Sequence, residues 1–243
     1  MISDNLQTIR ERIVRACARV GRDPGTVTLI AIAKTFPWQK IQEVIRAGVT
    51  DVGENYVQEL LQKRAALSGE NVQWHFVGHL QSNKVKQIAG WVTLIHAIDS
   101  VGIVREIDRR AAAEGRTIKC LVEVNTSGEE TKFGVPPGRA AELVREMQGL
   151  SHVSIEGLMT IGPFLPDPEG SRPMFRRLRE LRDEIAGLGI PNAPMRHLSM
   201  GMTGDFEVAI EEGATLIRIG TAIFGPRKKI PPGEGADNQR RAQ

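Results

Sequence analysis

Residues 27–37 read VTLIAIAKTFP, and this stretch decides between two ways of building an α/β protein. The run 27–33 is apolar and rich in β-branched residues, which is typical of a buried parallel strand. An open doubly wound sheet usually carries a glycine fingerprint directly after its first strand. This strand is followed instead by KTFP, without a glycine, so the sequence favours a closed barrel over the open sheet.

Seven further runs of this kind follow, and the stretches between them have the polar periodicity of helices. We predict strands at 27–33, 50–53, 73–77, 93–98, 118–124, 153–158, 196–199 and 215–219. The helices between them are predicted to begin near Trp38, Tyr56, Asn83, Val101, Pro137, Arg172 and Asp205, with a last turn after Thr221. Eight strand-then-helix units imply a parallel sheet closed into a single α/β domain, a (β/α)8 TIM barrel. An extra N-terminal helix is predicted from the helical spacing of Leu6, Ile9, Ile13, Cys17 and Val20.

The composition places the chain among ordinary globular proteins and argues against several other classes. Hydrophobic residues make up 41% of the chain and charged residues 25%. No apolar run approaches the roughly 18 residues of a membrane helix, and the N-terminus has no signal-peptide pattern, so we expect a cytoplasmic protein. The net charge is +3, and acids are mixed into the richest basic stretch, 172–182. This favours a solvated helix face over a nucleic-acid surface.

The cysteines and the C-terminal residues give smaller predictions. Cys17 and Cys120 have no metal-ligand spacing, so we expect reduced, buried thiols and no metal site. Residues 227–243 are rich in Pro, Gly and charge and are predicted to form a disordered tail, which leaves 1–226 for the barrel. A closed barrel has no sheet edge to pair with a second copy, so we expect a monomer.

Polar residues concentrate at the predicted carboxyl ends of the strands, where the active sites of such barrels lie. Lys34 follows six uncharged residues and shares side-chain parity with Ile30 and Ile32, which points it into the barrel mouth. A desolvated amine has a lowered pKa and can form a Schiff base with an aldehyde. The alternative is a lysine that extends to solvent at a strand end.

The last two strands end in loops suited to an anion. They read SMGMTG (199–204) and GTA (220–222), in the positions where such barrels bind phosphate. Glycines let backbone N–H groups approach an anion closely, and Ser199, Thr203 and Thr221 offer hydroxyls. The two helices predicted to begin just after these loops direct their positive ends at the same place. Two ordinary turns with capping residues are the alternative.

Arg218 lies within the apolar run LIRI (216–219), and a buried guanidinium needs an acceptor. One alternative is a structural salt bridge to a strand-end acid, Glu54, Glu123 or Glu156. The other is a hydrogen bond to the ring nitrogen of a bound cofactor. A lysine amine, a phosphate-binding pair of loops and a ring-nitrogen partner are the three groups that pyridoxal 5′-phosphate (PLP) requires. The first and last strands, which carry two of them, are neighbours in a closed barrel.

Several segments together resemble the pyridoxal phosphate homeostasis protein family, whose barrel is similar to the N-terminal domain of alanine racemase. They extend from residue 29 to residue 225 and include AIAKT (31–35), GENYVQE (53–59), WHFVGHLQSNK (74–84), EGLM (156–159), LSMGM (198–202) and RIGTAIFG (218–225). The resemblance implies that Lys34 forms the Schiff base with PLP and that Arg218 meets the pyridine nitrogen. It also implies that Asn55 lines the cofactor, that Met159 lies against its ring, and that the phosphate is held by Ser199, Gly201, Gly220 and Thr221.

The resemblance implies a carrier or buffer of PLP that serves cofactor homeostasis and PLP-dependent apoenzymes, without catalysis. An arginine at the ring nitrogen leaves the ring a poor electron sink, and a racemase also needs a second acid/base. The first alternative is a PLP-dependent racemase or lyase that uses Tyr56, His75 or Lys132; the last aligns loosely with a basic residue near the PLP hydroxyl in racemases. The second is a barrel enzyme without PLP that acts on a phosphorylated aldehyde or ketone through Lys34.

Overall fold

Eight parallel strands close into a barrel in the computed structural model, which describes residues 1–129 and 131–226. The strands are β1 (Thr28–Ile32), β2 (Asp51–Glu54), β3 (Gln73–Phe76), β4 (Leu94–Ile98), β5 (Ile118–Glu123), β6 (Val153–Met159), β7 (His197–Ser199) and β8 (Leu216–Ile219). Each strand pairs with its neighbours in chain order, and β1 pairs with β8 to close the sheet. The predicted barrel is confirmed and the open doubly wound sheet is excluded.

Helices separate the strands, as the alternating pattern predicts. They are α1 (Ile2–Arg19), α2 (Trp38–Arg46), α3 (Val57–Ala66), α4 (Ser82–Ile88), α5 (Val101–Ala113), α6 (Pro137–Glu146), α7 (Arg172–Ala186), α8 (Phe206–Glu211) and α9 (Thr221–Phe224). Short 3-10 turns occur at Pro24–Thr26 and Pro168–Ser171. The starts of α2 to α9 lie within one residue of the predicted positions, because Pro, Ser and polar residues mark them in the sequence.

The N-terminal helix α1 packs on the outside of the barrel against α8, α9 and α2. Its apolar stripe, which includes Leu6, Ile9 and Ile13, is buried, and burial of each such side chain contributes about 1.5–3 kcal/mol. Asn5 donates from Nδ2 to the carbonyl of Ile223 in α9 at 2.9 Å, and Arg12 pairs with Glu207 of α8 at 3.1 Å. The helix therefore supports the two short helices that follow β7 and β8.

The core has two layers, one between the strands and the helices and one inside the barrel. The inner apolar layer consists of Ile30, Leu94, Ala97, Leu121, Met159 and Leu216, which come from five different strands. Inward-pointing residues from several strands fill such barrels, so this cluster marks the barrel axis. Among the described residues, seven buried polar side chains also come from the strands: Glu54, His75, His96, Glu123, Glu156, Ser199 and Arg218.

Three further predictions bear on the chain as a whole. Cys17 and Cys120 are buried and form no disulfide, as expected. The predicted disordered tail concerns residues 227–243, which lie outside the described residues, so the division into barrel and tail stays a prediction. Among the described helices, none is both long enough and apolar enough to cross a membrane.

Candidate functional site

The predicted site residues all lie at the carboxyl ends of the strands. They are Lys34 after β1, Asn55 after β2, Met159 in β6, Ser199 in β7, Gly201 after β7, Arg218 in β8, and Gly220 and Thr221 after β8. The parallel pairing of β1 with β8 places Ile30 opposite Arg218. The lysine and the arginine therefore belong to neighbouring strands, as a cofactor bound to both would require.

The loop that carries Lys34 follows a strained path. Lys34 is half-buried and lies two residues beyond the end of β1. Thr35 has a φ of 68°, a left-handed conformation that costs a residue with a side chain about 1–2 kcal/mol. Phe36 then stacks on Phe224 of α9, with the ring centroids 4.8 Å apart. The turn and the stack hold this loop against the segment that follows β8.

A buried ion-pair cluster lies beneath this loop; we call Lys63, Glu54 and Glu59 the Lys63 clamp. Lys63 projects from α3 and is 6% exposed. Its ammonium donates to Glu54 at 2.5 Å, to Glu59 at 2.8 Å and to the carbonyl oxygen of Ala33 at 2.9 Å. These three acceptors match the three hydrogens of an ammonium group. The clamp therefore satisfies the buried charge and fixes the main chain just before Lys34.

The clamp also fixes the main chain on the other side of Lys34. Glu59 accepts a hydrogen bond from the N–H of Thr35 at 2.9 Å. Burial raises the pKa of Glu54 to about 7, although the Lys63 ammonium opposes that rise. Sequence analysis assigned no role to Lys63. The pair Glu59 and Lys63 at i and i+4 on one helix was the available signal, but such pairs are usually exposed and weak.

The side chain of Asn55 carries a buried hydrogen-bond acceptor at the end of β2. Its side-chain oxygen Oδ1 is buried and accepts no hydrogen bond from the described part of the chain, and an unpaired buried acceptor is costly in a folded protein. The backbone of Asn55 is fixed because Gly78 packs directly against it. A Cβ at Gly78 would lie 2.1 Å from the carbonyl oxygen of Asn55, so only glycine fits there. The structure thus holds an unsatisfied acceptor at the end of β2.

The loop after β7 passes close to α8 at Gly201. This glycine has a φ of 89°, and a Cβ there would lie 2.6 Å from Cβ of Ala209 and 2.9 Å from Cα of Phe206. Both the backbone conformation and the contact therefore require glycine. The loop after β8 begins at Gly220, where a Cβ would lie 3.3 Å from the carbonyl oxygen of Ile32.

A hydrogen bond joins these two glycine loops. The hydroxyl of Thr203 accepts from the N–H of Ala222 at 3.4 Å. The helices that follow are short, with six residues in α8 and four in α9. The macrodipole of a helix grows with the number of aligned peptide units, so it is small in helices this short. An anion at these two loops would therefore be bound mainly by the free N–H groups of the first helical turn.

Arg218 is buried, and its guanidinium lies at the ends of β6 and β7. One Nη donates to Oγ of Ser199 at 2.6 Å and the other to the carbonyl oxygen of Thr160 at 2.8 Å. The structural salt bridge considered above is contradicted for the described residues: Glu54 pairs with Lys63 and Glu156 with Arg196. The apolar run around Arg218 predicted that its guanidinium is buried but could not show which acceptors lie at its level.

Glu123 is a second residue that sequence analysis did not place in the site. It ends β5, is 4% exposed, and its carboxylate makes no ion pair or hydrogen bond within 1–129 and 131–226. Burial raises the pKa of Glu123 to about 7, with attraction to Arg218 opposing the rise and Asp99 adding to it. Burial also lowers the pKa of Arg218 to about 10, so its guanidinium stays charged at neutral pH.

The hydroxyl of Ser199 lies inside the barrel. It is fully buried and contacts both Arg218 and Nδ1 of His96, the latter at 2.9 Å. The phosphate role predicted for Ser199 stays a prediction, and it would require the hydroxyl to leave these partners or the main chain to bind instead. Met159 packs in the inner apolar layer beside Ile30.

The three candidate acid/base residues are placed very differently. Tyr56 precedes α3 and is 43% exposed. His75 is buried, and both of its ring nitrogens already have hydrogen-bond partners. Lys132 lies in the loop after β5 and pairs with Glu129 at 3.3 Å. His75 is therefore unsuited to contact a substrate at the mouth.

The sequence matches a family model described as the alanine racemase N-terminal domain over residues 3–228. A pyridoxal phosphate homeostasis protein from Aquifex aeolicus is 48% identical, with 93% of this chain and 98% of that protein covered. The protein of the same name from Escherichia coli K12 is 37% identical, with 93% and 97% covered. Each comparison spans almost the whole of both chains.

Solved structures give the same result. PipY from Synechococcus elongatus PCC7942, solved with PLP bound, is 32% identical with a TM-score of 0.81, covering 93% of this chain and all of PipY. Alanine racemase from Clostridium difficile is 13% identical with a TM-score of 0.72, covering 95% of this chain and 58% of the racemase. At that identity the racemase shows a shared fold alone. The chain belongs to the family of pyridoxal phosphate homeostasis proteins, which is built on the alanine racemase N-terminal domain.

Proposed function

We propose that this protein binds PLP covalently through Lys34 and serves as a carrier or buffer in PLP homeostasis. The observation that carries this proposal is the placement of Lys34 and Arg218 on the paired strands β1 and β8, with the glycine loops beside them. The relatives named above support it, because one is solved with PLP and the others are named for PLP homeostasis.

The residues at the mouth fit the chemical groups of PLP. The backbone around Gly201 and Gly220, with Thr221, suits the phosphate. Arg218 would donate to the pyridine nitrogen. The unsatisfied Oδ1 of Asn55 would accept a hydrogen bond from the cofactor or an ordered water, and Met159 would contact the ring. Ser199 would contribute to the phosphate site through its main chain.

Lys34 would supply the amine that holds the cofactor. PLP carries an aldehyde that reacts with amines. The unprotonated ε-amino group of Lys34 would add to the aldehyde carbon, and the aldehyde oxygen would leave as water, which gives a Schiff base that a competing amine can reverse. A reversible covalent bond suits storage and release better than either a permanent bond or a weak contact.

Two observations support storage rather than catalysis. The curated relatives are named for homeostasis and not for a reaction. Of the residues considered as a second acid/base, His75 is already bound on both nitrogens and Lys132 is paired with Glu129. A racemase would exchange the α-hydrogen of an amino acid for deuterium in deuterated water, and exchange with any common amino acid would favour the enzyme alternative.

The test of the proposal is the visible absorbance of the purified protein before and after borohydride. We expect a yellow protein whose PLP becomes fixed on the peptide that contains Lys34. Lys34→Ala should lose the band, whereas Lys40→Ala, which removes a lysine from α2 that pairs with Glu43, should keep it. A wild-type protein that neither carries nor takes up PLP would contradict the proposal and favour a barrel enzyme for a phosphorylated aldehyde.

Delivery to PLP-dependent apoenzymes, a cytoplasmic location and a monomeric state complete the proposal. If the protein delivers PLP directly, an apoenzyme mixed with the PLP-loaded protein should regain activity faster than the same apoenzyme mixed with free PLP at the same total PLP concentration. Equal rates would contradict direct delivery. Sedimentation of the loaded protein should give the 26.7 kDa of one chain.

A further inference from the structure

Hydrogen-bonded side chains cross the barrel interior from Arg218 to Asp51. Arg218 donates to Oγ of Ser199 at 2.6 Å, and that oxygen lies 2.9 Å from Nδ1 of His96. Nε2 of His96 lies 3.0 Å from Nδ1 of His75, and Nε2 of His75 lies 2.9 Å from Oδ1 of Asp51. The residues come from β8, β7, β4, β3 and β2, and Asp51 begins its strand at the end opposite the mouth.

The middle of this chain is isolated from solvent. Ser199 and His96 are fully buried and His75 is 3% exposed, whereas 27% of the Asp51 side chain is exposed. Burial, reinforced by the charge of Arg218, keeps the pKa of His96 well below its usual range, so His96 is neutral at physiological pH. A neutral imidazole has one N–H donor and one bare nitrogen acceptor, and its hydrogen bonds fix which nitrogen is which.

The charged ends decide the direction of the chain. A carboxylate has no proton to donate, so Nε2 of His75 must donate to Asp51. At the other end Arg218 can only donate, so among the described partners of Ser199 the acceptor for its O–H is Nδ1 of His96. Neutral His96 then carries its hydrogen on Nε2 and donates it to Nδ1 of His75. Nδ1 of His96 accepts in turn from the hydroxyl of Ser199, whose oxygen accepts from Arg218. Every donor meets one acceptor, and all the bonds point from the guanidinium to the carboxylate.

We propose that Ser199, His96 and His75 form a one-way hydrogen-bond relay that positions Arg218 for the ring nitrogen of PLP and terminates on Asp51. The part that concerns PLP rests on the proposed function; the direction of the relay does not. We call these residues, with Arg218 and Asp51 at the ends, the relay. Ser199, His96 and His75 are positioning residues, since they act through Arg218.

The relay connects the buried guanidinium of Arg218 to a carboxylate through hydrogen bonds. Within 1–129 and 131–226, no carboxylate forms an ion pair with Arg218, although its charge is buried. Hydrogen-bonded groups in series polarise one another, so each member makes the next a better donor or acceptor. The charge of Asp51 is thereby linked to Arg218 through neutral groups, and the guanidinium is fixed between Ser199 and the carbonyl of Thr160.

The first test needs no variant protein. The 15N chemical shifts of the His75 and His96 rings, in the full-length protein freed of PLP at neutral pH, distinguish a nitrogen that carries hydrogen from one that does not. We expect hydrogen on Nε2 and a bare Nδ1 in both rings. Hydrogen on Nδ1 of His96, or on both nitrogens of His75, would overturn the one-way relay.

The second test uses two variants whose side chains have the same number and branching of heavy atoms. His96→Asn keeps an oxygen where Nδ1 lies and can still accept from Ser199, whereas His96→Leu offers no acceptor. We expect His96→Leu to weaken PLP binding about tenfold or more and to shift the visible band of the bound cofactor, while His96→Asn stays within about threefold of the wild type with an unshifted band. The side chains of Asn and Leu have the same length and branching, so the acceptor offered to Ser199 is the polar difference between the two variants.

The two tests separate failure of the relay from failure of the proposed function. If both variants bind PLP equally well and with the same band, the relay does not position Arg218. If the wild-type protein binds no PLP, the proposed function fails, and the ring shifts still decide whether the relay exists. If His96→Leu does not fold, Ser199→Ala measured against Ser199→Cys replaces it, with the same band as the readout.

Discussion

The Lys63 clamp and the relay each hold a basic residue of the candidate site, and they do so by opposite means. The clamp places a charged ammonium in direct contact with two carboxylates and touches only the main chain on either side of Lys34. The relay contacts the side chain of Arg218 itself, through groups that are neutral until Asp51. A lysine that reacts needs a fixed backbone and a movable amine, whereas an arginine that only donates can be fixed at its tip.

Removing the clamp cation should have the largest effect. Lys63→Met leaves the fully buried Glu54 without its partner, and breaking a buried ion pair in this way costs about 3–5 kcal/mol of unfolding free energy. Urea unfolding of the PLP-free protein measures the loss. Adding Glu54→Gln to Lys63→Met should recover part of it, because the stranded charge is then gone. A loss below about 1 kcal/mol would show that the clamp does not hold the loop.

The next largest effect should come from Glu123, which is buried and interacts electrostatically with Arg218 at one end of the relay. Its titration should make the stability of the protein depend on pH. The pKa of Glu123 is about 7 in the folded protein and near 4.5 in the unfolded chain. Between these two pH values the carboxyl of Glu123 is therefore more protonated in the folded state than in the unfolded state. Stability contributed by this group is therefore complete below about pH 4.5 and falls as the pH rises through about 7, by about 3 kcal/mol in total.

Glu123→Gln removes this titration and should make the stability profile between pH 5 and pH 8 less steep, with the titration of Glu54 remaining. Urea unfolding at half-unit steps of pH checks it, with Glu129→Gln on the exposed loop as the control. Parallel profiles for the wild type and Glu123→Gln would mean that the carboxylate is ionised in the folded protein at low pH and is better solvated than its burial indicates.

Interrupting the relay should cost less than removing the clamp cation. His96→Leu leaves the O–H of Ser199 without its acceptor and Nδ1 of His75 without its donor, and unsatisfied buried groups of this kind cost about 1–3 kcal/mol. We expect thermal unfolding to rank the wild type, His96→Asn and His96→Leu in that order of stability. A His96→Leu protein as stable as the wild type would indicate that an apolar side chain replaces the relay without loss.

The smallest effect should come from the aromatic stack that joins the loop of Lys34 to α9. Phe36→Leu keeps an apolar side chain but removes the ring contact with Phe224, which is worth about 0.5–1.5 kcal/mol. Hydrogen exchange should quicken at Phe36, whose N–H donates to Ala33, and remain unchanged on the far side of the barrel. Uniformly faster exchange would mean that the stack supports the whole fold rather than this loop.

The barrel itself could be predicted because its signals are local. Most strands are short apolar runs, and most of the described helices begin at, or directly after, a Pro, a Ser or another polar residue. The burial of Arg218 and its position beside β1 also followed, from the apolar run that contains it and from closure of the barrel. These inferences need only the helix and strand periodicities of apolar residues and the rule that such barrels close in chain order.

The supports of the site could not be predicted in the same way, because they join residues far apart in the sequence. His96 and Ser199 are 103 positions apart, and nothing near either one indicates the other. Lys63 had the pattern of an exposed helical pair. The inward parity of His75 and His96 within apolar strands was a usable signal, since two buried imidazoles need partners, but it names no partner.

The pairing of β1 with β8 has a consequence for how the protein is made. Lys34 emerges early in translation, whereas Arg218 follows 184 positions later and Thr221 later still. At about 5–20 residues per second the two ends of the site are synthesised roughly 10–40 s apart. Until the last strand is added, the lysine belongs to an open sheet with no arginine beside it. Loading with PLP would therefore report that a newly made chain has closed its barrel, and unfinished chains would stay colourless.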